Sequence, residues 1–246
     1  MKYLMLLLCL GLGLTAGAQT TYGSNGLNDR NRIVGNGEVT VENRPVADFQ
    51  ELTFCCNLRV ELTQGPTTKV RVEAESNLLP YVKTEVSGNR LRIGFRDNVH
   101  FRSKEPIVVY VTGPSLTYIG GEAGGQLQMK SAFTGERMEL EAGSAAFIGA
   151  EFSGAELRLR ADSGGRIEVK GSGKSVDAVA SSGGAVSAQN YLAERGEAEA
   201  SSGGGVEINV SEALEAEASS GGRVSYRGKV TNINVHSGSG GSVRKD

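Results

Sequence analysis

The sequence predicts an all-β protein built as a parallel β-helix, a solenoid of about seven turns of 18–21 residues. Three observations carry this. One motif is written seven times: Gly121-Glu122-Ala123-Gly124-Gly125, Ala142-Gly143-Ser144-Ala145-Ala146, Ala161-Asp162-Ser163-Gly164-Gly165, Ala180-Ser181-Ser182-Gly183-Gly184, Ala200-Ser201-Ser202-Gly203-Gly204, Ala218-Ser219-Ser220-Gly221-Gly222 and Ser237-Gly238-Ser239-Gly240-Gly241. Measured at the third residue of each copy, the steps are 21, 19, 19, 20, 18 and 19 residues, and so short a period in strand-forming sequence marks stacked turns. Between the copies apolar and polar residues alternate with period two, as in strands with one buried face. The 35 glycines sit at repeat positions rather than scattering, which argues for order.

The elements follow in order along the chain. Met1-Lys2-Tyr3 leads into an apolar run from Leu4 to Leu14 that ends at Ala16-Gly17-Ala18 before Gln19. This pattern predicts a secretory signal peptide over residues 1–18, too short to span a bilayer, and an extracytoplasmic mature chain in the periplasm, at the outer membrane or on the cell surface. Cys9 does not read as a lipid-anchor cysteine, because Leu8 precedes it inside the apolar run. Residues 19–37 are polar and rich in Gly and Asn, and read as a flexible lead-in.

Residues 38–115 read as an N-terminal β portion continuous with the solenoid. Period-two runs occur at Val39/Val41, Leu52 to Leu62, Val70/Val72/Ala74, Leu91/Ile93/Phe95 and Ile107/Val109/Val111, separated by turn signals at Gln64-Gly65-Pro66, Ser87-Gly88-Asn89 and Arg96-Asp97-Asn98. All five prolines fall in this part, so the composition shifts near residue 115. After signal cleavage two cysteines remain, Cys55 and Cys56. In an unbroken strand they point to opposite faces, and adjacent Cα atoms lie closer than a relaxed disulfide prefers. The expectation is therefore a core Cys56 and an exposed or half-exposed Cys55, not a vicinal disulfide. Two such residues do not make a zinc site.

Residues 116–246 are the Ser-Gly-Gly repeats. Inward positions before each corner read Leu157/Leu159/Ala161, Val176/Ala178/Ala180, Leu214/Ala216/Ala218 and Ile233/Val235/Ser237; those after it read Ile167/Val169, Val186/Ala188, Val206/Ile208 and Val224/Tyr226. A third inward contribution comes from Phe133, Phe152, Leu192, Val210 and Val230. Three inward segments per turn fit a triangular cross-section with the glycine pair at one corner, where a sharp bend needs positive φ or close backbone approach.

The order of a secretory signal, the strand ending Val60-Glu61-Leu62-Thr63-Gln64-Gly65, then Ala74-Glu75-Ser76-Asn77-Leu78-Leu79, then Thr84-Glu85-Val86 with Leu91-Arg92-Ile93, and finally the Ser-Gly-Gly turns resembles the bacterial autotransporter adhesin head (GIN domain) family, common in Bacteroidetes. The resemblance covers residues 38 to 226. It implies a right-handed parallel β-helix and an envelope location, and brings no catalytic or ligand residues. Cys55-Cys56 stand where that pattern has small residues such as Gly or Ser. No translocator barrel follows the repeats, so self-export is not expected.

Chemistry is sparse. Gly171-Ser172-Gly173-Lys174-Ser175 looks like the end of a phosphate-binding loop, but Glu168 stands where that pattern needs its first glycine and strand alternation resumes at Val176, so it reads as a solvated corner loop. The only histidines, His100 and His236, lie at opposite ends of the architecture, and Asp162 beside Arg158 and Arg160 reads as surface pairing. A net charge of −2 gives no pull toward nucleic acid. Outward positions read Glu139/Glu141, Arg158/Arg160, Asp177/Val179, Glu197/Glu199, Glu215/Glu217 and Asn234/His236. Glu197, Glu199, Glu215 and Glu217 crowd one patch, where a hard cation would relieve repulsion; an ordinary solvated face is the favoured reading. The sequence thus predicts a non-enzymatic envelope binding module for glycan or protein, with no catalytic, cofactor or metal residues. The alternatives are a polysaccharide-processing β-helix enzyme and a self-associating structural module.

Overall fold

The computed structural model describes residues 32–97 and 99–246, so the expected signal peptide and the lead-in as far as residue 31 lie outside it. The N-terminal strands are β1 (Ile33–Val34), β2 (Val39–Arg44), β3 (Glu51–Phe54), β4 (Arg59–Gln64), β5 (Lys69–Glu75), β6 (Val82–Ser87), β7 (Arg90–Phe95), β8 (Phe101–Arg102) and β9 (Val108–Gly113). The repeats supply β10 (Tyr118–Gly121), β11 (Gln126–Met129), β12 (Phe133–Ala142), β13 (Phe147–Ala161), β14 (Arg166–Ala180), β15 (Ala185–Ala200), β16 (Gly205–Ala218), β17 (Arg223–Arg227), β18 (Asn232–Ser237) and β19 (Ser242–Lys245). The fold is the expected β-solenoid. Its coils stack in parallel, with β13 on β14, β14 on β15 and β15 on β16 over nearly their whole length. Each middle coil is one bent strand of 14–16 residues rather than three short ones, because only the glycine corner breaks it.

The N-terminal portion builds coils in a different order from the chain. β3 lies parallel between β7 and β10, and β4 between β9 and β11, so the coil that begins at Glu51 is sandwiched. Antiparallel strands then cover the far edge: β6 pairs with β7, β5 with β9, and β2 with β5. Residues 33–37 of the expected lead-in are tied down by Glu75, whose buried carboxylate accepts hydrogen bonds from Gly37 N–H (2.7 Å), the Ser103 hydroxyl (2.7 Å) and Lys104 N–H (2.9 Å). Burial pushes this carboxyl up, but the hydrogen bonds outweigh it and hold it below its ordinary range.

The core is a set of columns running through the coils. Leu91, Leu52, Ile119, Leu140, Leu159, Ala178, Ala198 and Ala216 stack in register, all buried. Val109, Val60, Leu127, Ile148, Ile167, Val186, Val206 and Val224 form a second column. No single coil could remove these side chains from water; stacking does.

The corners are type I′ turns, and their two glycines do different jobs. Positive φ falls on the Ser and the first Gly, for example Ser163 (48°) and Gly164 (76°), while Gly165 N–H closes the turn onto Asp162 C=O at 2.7 Å. The second glycine makes room for the neighbouring coil: a Cβ at Gly165, Gly184, Gly204, Gly222 or Gly241 would overlap the carbonyl oxygen of Ala142, Ala161, Ala180, Ala200 or Ala218. Corners also bond to one another, as in Gly183 N–H to Ser202 C=O at 3.2 Å.

Several expectations are corrected. The run from Leu52 to Leu62 is two strands joined by a corner, not one. Cys56 (φ 69°) and Asn57 (φ 58°) take the central positions of the same turn, and Leu58 N–H bonds to Cys55 C=O at 3.3 Å. The corner spans four residues, an even number, so Leu52, Phe54, Leu58, Val60 and Leu62 keep one parity and mimic a continuous strand. Turned this way, Cys55 and Cys56 form a disulfide, both half-buried. Leu192 is 49% exposed, because β15 shifts register against β14 and β16 and puts Tyr191 in the core instead. Ile233 and Val235 are 45% and 42% exposed, since among the described residues no coil stacks on β18. Gly171–Ser175 is not a corner loop but part of β14, where the missing side chain of Gly173 leaves room for the Tyr191 hydroxyl.

Two outcomes follow for stability. Gly183→Ala, in open space, should cost about 1 kcal/mol from left-handed backbone alone, whereas Gly184→Ala, over the Ala161 carbonyl, should cost roughly 3 kcal/mol; urea denaturation measures both. The Tyr191 hydroxyl is buried without a hydrogen-bond partner among the described residues, and burial pushes its pKa up to about 12. The unfolded chain ionises near pH 10 while the folded one does not, so Tyr191 makes stability fall as pH rises above about 10. Tyr191→Phe should raise stability by about 1 kcal/mol at neutral pH and flatten that alkaline loss.

Candidate binding face

The solvent-facing side of the strands that precede the corners carries two columns of side chains, fixed by the register. The first reads Arg90, Glu51, Tyr118, Glu139, Arg158, Asp177, Glu197, Glu215 and Asn234; the second reads Arg92, Thr53, Gly120, Glu141, Arg160, Val179, Glu199, Glu217 and His236. The outward register expected for the repeats is the observed one. The chain's N-terminal strands extend the same face by two coils.

The N-terminal half of the face is held by specific contacts. Arg90 pairs with Glu51 at 2.6 Å and lies 4.8 Å from the Tyr118 ring centroid. The Tyr118 hydroxyl reaches over Gly120, where any Cβ would crowd it, and donates to the Glu141 carboxylate. Burial, then that hydrogen bond, pushes the Tyr118 pKa well above its ordinary value, so it stays a neutral donor. Arg160 bridges Asp177 (3.5 Å) and Glu139 (3.9 Å) on the coils either side, not Asp162 as the sequence suggests.

Two concavities open on this face. A shallow groove of about 410 Å³ crosses the later coils, with charged walls from Glu156, Arg158, Asp177, Arg195, Glu197 and Glu215. A larger cleft of about 980 Å³ lies at the N-terminal end, between the corner row (Cys55, Cys56, Glu122, Ser144, Asp162) and the β6–β7 hairpin with residues 96–99 excluding Asn98 (Lys83, Arg92, Arg96, Asp97, Val99). Reading the repeats alone misses this cleft, since coils of 18–21 residues have no length to spare for walls. The hairpin supplies one; the spacing from Phe54 to Leu58, which matches that from Gly121 to Gly125, marks Cys55-Cys56 as a corner but does not reveal that wall.

Glu197, Glu199, Glu215 and Glu217 are exposed on adjacent coils without ion-pair partners among the described residues. No group of three or more His, Cys, Asp or Glu side chains suited to a metal ion occurs among those residues. Calcium at millimolar concentration should therefore shift the melting temperature of the wild type and of Glu215→Gln/Glu217→Gln equally at matched ionic strength. The variant itself should be more stable by a few tenths of a kcal/mol, about 0.3, through lost like-charge repulsion.

Residues 48–230 match the family model described as "Putative auto-transporter adhesin, head GIN domain". No curated protein matches the chain. Among solved structures, a putative adhesin from Bacteroides fragilis is 16% identical with a TM-score of 0.81, over 87% of this chain and 100% of that one. A putative adhesin from Parabacteroides distasonis is 20% identical with a TM-score of 0.72, over 87% and 100%. A protein described as a putative lipid binding protein from the same organism is 19% identical with a TM-score of 0.64, over 87% and 99%. At these identities the likeness is one of fold.

Proposed function

The chain belongs to the auto-transporter adhesin head family that carries the GIN domain, and from that premise we propose that it is a non-enzymatic, extracytoplasmic binding module whose columned face engages a glycan or protein of the cell envelope. The observation that carries the reading is the continuity of that face: nine strands in register present mainly polar side chains, Gly120 and Val179 being the exceptions. Such a surface offers many weak polar contacts along a line, which suits an extended ligand. The signal-like residues 1–18 support export.

Retention of purified protein by washed bacterial cells tests it. Arg158→Ala/Asp177→Ala/Glu215→Ala should keep the wild-type melting temperature and lose at least about tenfold in retention, the size of one or two good polar contacts. Equal retention by variant and wild type would remove the face from the function. A second reading, polysaccharide processing, is favoured by the carboxylates that share the groove with Arg158 and Arg195. Release of new reducing ends from an envelope polysaccharide, abolished by Asp177→Asn, would establish it.

A further inference from the structure

We propose that the N-terminal cleft is a binding site for a neutral oligosaccharide, with the Cys55–Cys56 disulfide as the apolar part of its corner wall; the proposal rests on the reading of this face as a binding surface.

The size fits first. At about 980 Å³ the cleft is in the range of small-molecule sites, far larger than the groove on the same face. Its polar groups fit next. On the hairpin wall Arg92 and Arg96 are exposed and have no ion-pair partner among the described residues, while Lys83 is taken by Glu85 at 3.6 Å. On the opposite wall Glu122 and Asp162 are likewise exposed and unpaired. Each wall therefore mixes donors and acceptors: Glu85 and Asp97 stand with the hairpin cations, and the Ser144 hydroxyl and Arg160 with the corner carboxylates. Five cations and five carboxylates line the cleft, so its charges balance and favour neither an anion nor a cation. A hydroxyl both donates and accepts, so a polyhydroxylated, uncharged ligand satisfies both walls at once.

A sugar ring also needs an apolar surface for its C–H face. The aromatic rings here are engaged: Arg90 covers Tyr118, and Phe95 packs edge-on against Phe101 at 4.4 Å. The half-buried disulfide remains. It is apolar, donates nothing, and sits in a turn whose neighbours are kept small, with Gly94 passing beside the Cys55 sulfur. The corner residues elsewhere in the solenoid are Ser, Gly, Ala, Glu and Asp, none of which provides an apolar surface of that size.

A printed array of neutral and uronic-acid-bearing oligosaccharides, followed by calorimetric titration of the best neutral binder, tests the site. Wild type should bind neutral oligosaccharides with an affinity that changes less than about threefold between low and high salt, because no counterions are released. Arg96→Gln/Glu122→Gln alters only exposed side chains and should lower that affinity at least about tenfold with an unchanged melting curve. Cys55→Ser/Cys56→Ser should do the same if its melting curve shows it folded. Arg158→Ala/Asp177→Ala/Glu215→Ala, although defective in cell retention, should bind the oligosaccharide normally. Undiminished binding by the cleft variant, or capture of uronic-acid-bearing sugars alone or of none, overturns the proposal. Loss of cell retention in the groove variant would leave the binding face standing in each of those cases.

Discussion

Everything in this protein depends on how closely one coil can lie on the next at the corner. Inter-coil hydrogen bonds require neighbouring backbones about 4.8 Å apart, and a turn with positive φ at both central residues bends the chain within four residues. At five of the corners the second glycine (Gly165, Gly184, Gly204, Gly222, Gly241) sits directly over a carbonyl of the neighbouring coil, with no space for a methyl group. Where that contact is kept, the columns of core and surface side chains follow automatically, because register at one corner sets parity along the whole strand. The corner is thus a spacing device, and the solenoid is what it spaces.

This economy limits where function can be built. Coils that are used up by strand and corner present flat sides, so a face made of repeats can offer side chains in rows but no deep recess. The N-terminal portion escapes the limit because its chain order differs from its stacking order. Inserting the coil of Glu51–Gln64 between two others leaves residues 65–89, 96–97 and 99–107 free to form hairpins and loops beside the stack. The result is a wall, and with it the larger of the two concavities on the face.

The repeats were legible because each position in them is dictated by one strong local constraint. Leu159, Ala178 and Arg160 could be placed inside or outside from parity and the position of the next Ser-Gly-Gly. Parity fails where the chain changes coil length. At Leu192 three residues intervene in β15 between Ala188 and Leu192 where β16 has none between Ile208 and Asn209, and the side chain that reaches the core is Tyr191. Parity misleads differently at Cys55-Cys56. A four-residue corner preserves the alternation across it, so hydrophobicity alone reads a strand, and neither residue is a glycine to mark the turn. Asn57 was the available sign, since asparagine tolerates the left-handed conformation better than most residues. The cleft was out of reach for another reason: Arg92, Arg96, Glu122 and Asp162 come from segments that parity places on coils but not on opposing walls.

A net charge of −2 conceals a face whose two halves differ in kind. Around Arg90 and Arg160 each cation of the columns that is paired meets an acid on its own or a neighbouring coil, so the charges fix side chains more than they project a field. Around Glu197 to Glu217 no carboxylate is ion-paired among the described residues. Arg158 and Glu215 are three coils apart, about 14 Å, which exceeds the screening length of about 8 Å at physiological salt. The halves therefore cannot compensate each other electrostatically, and a ligand lying along the face meets two independent surfaces. On the proposed binding role orientation would follow from this: a partner with charge at one end would gain only by aligning it with one half, which would give a bound chain polarity without a buried ion pair.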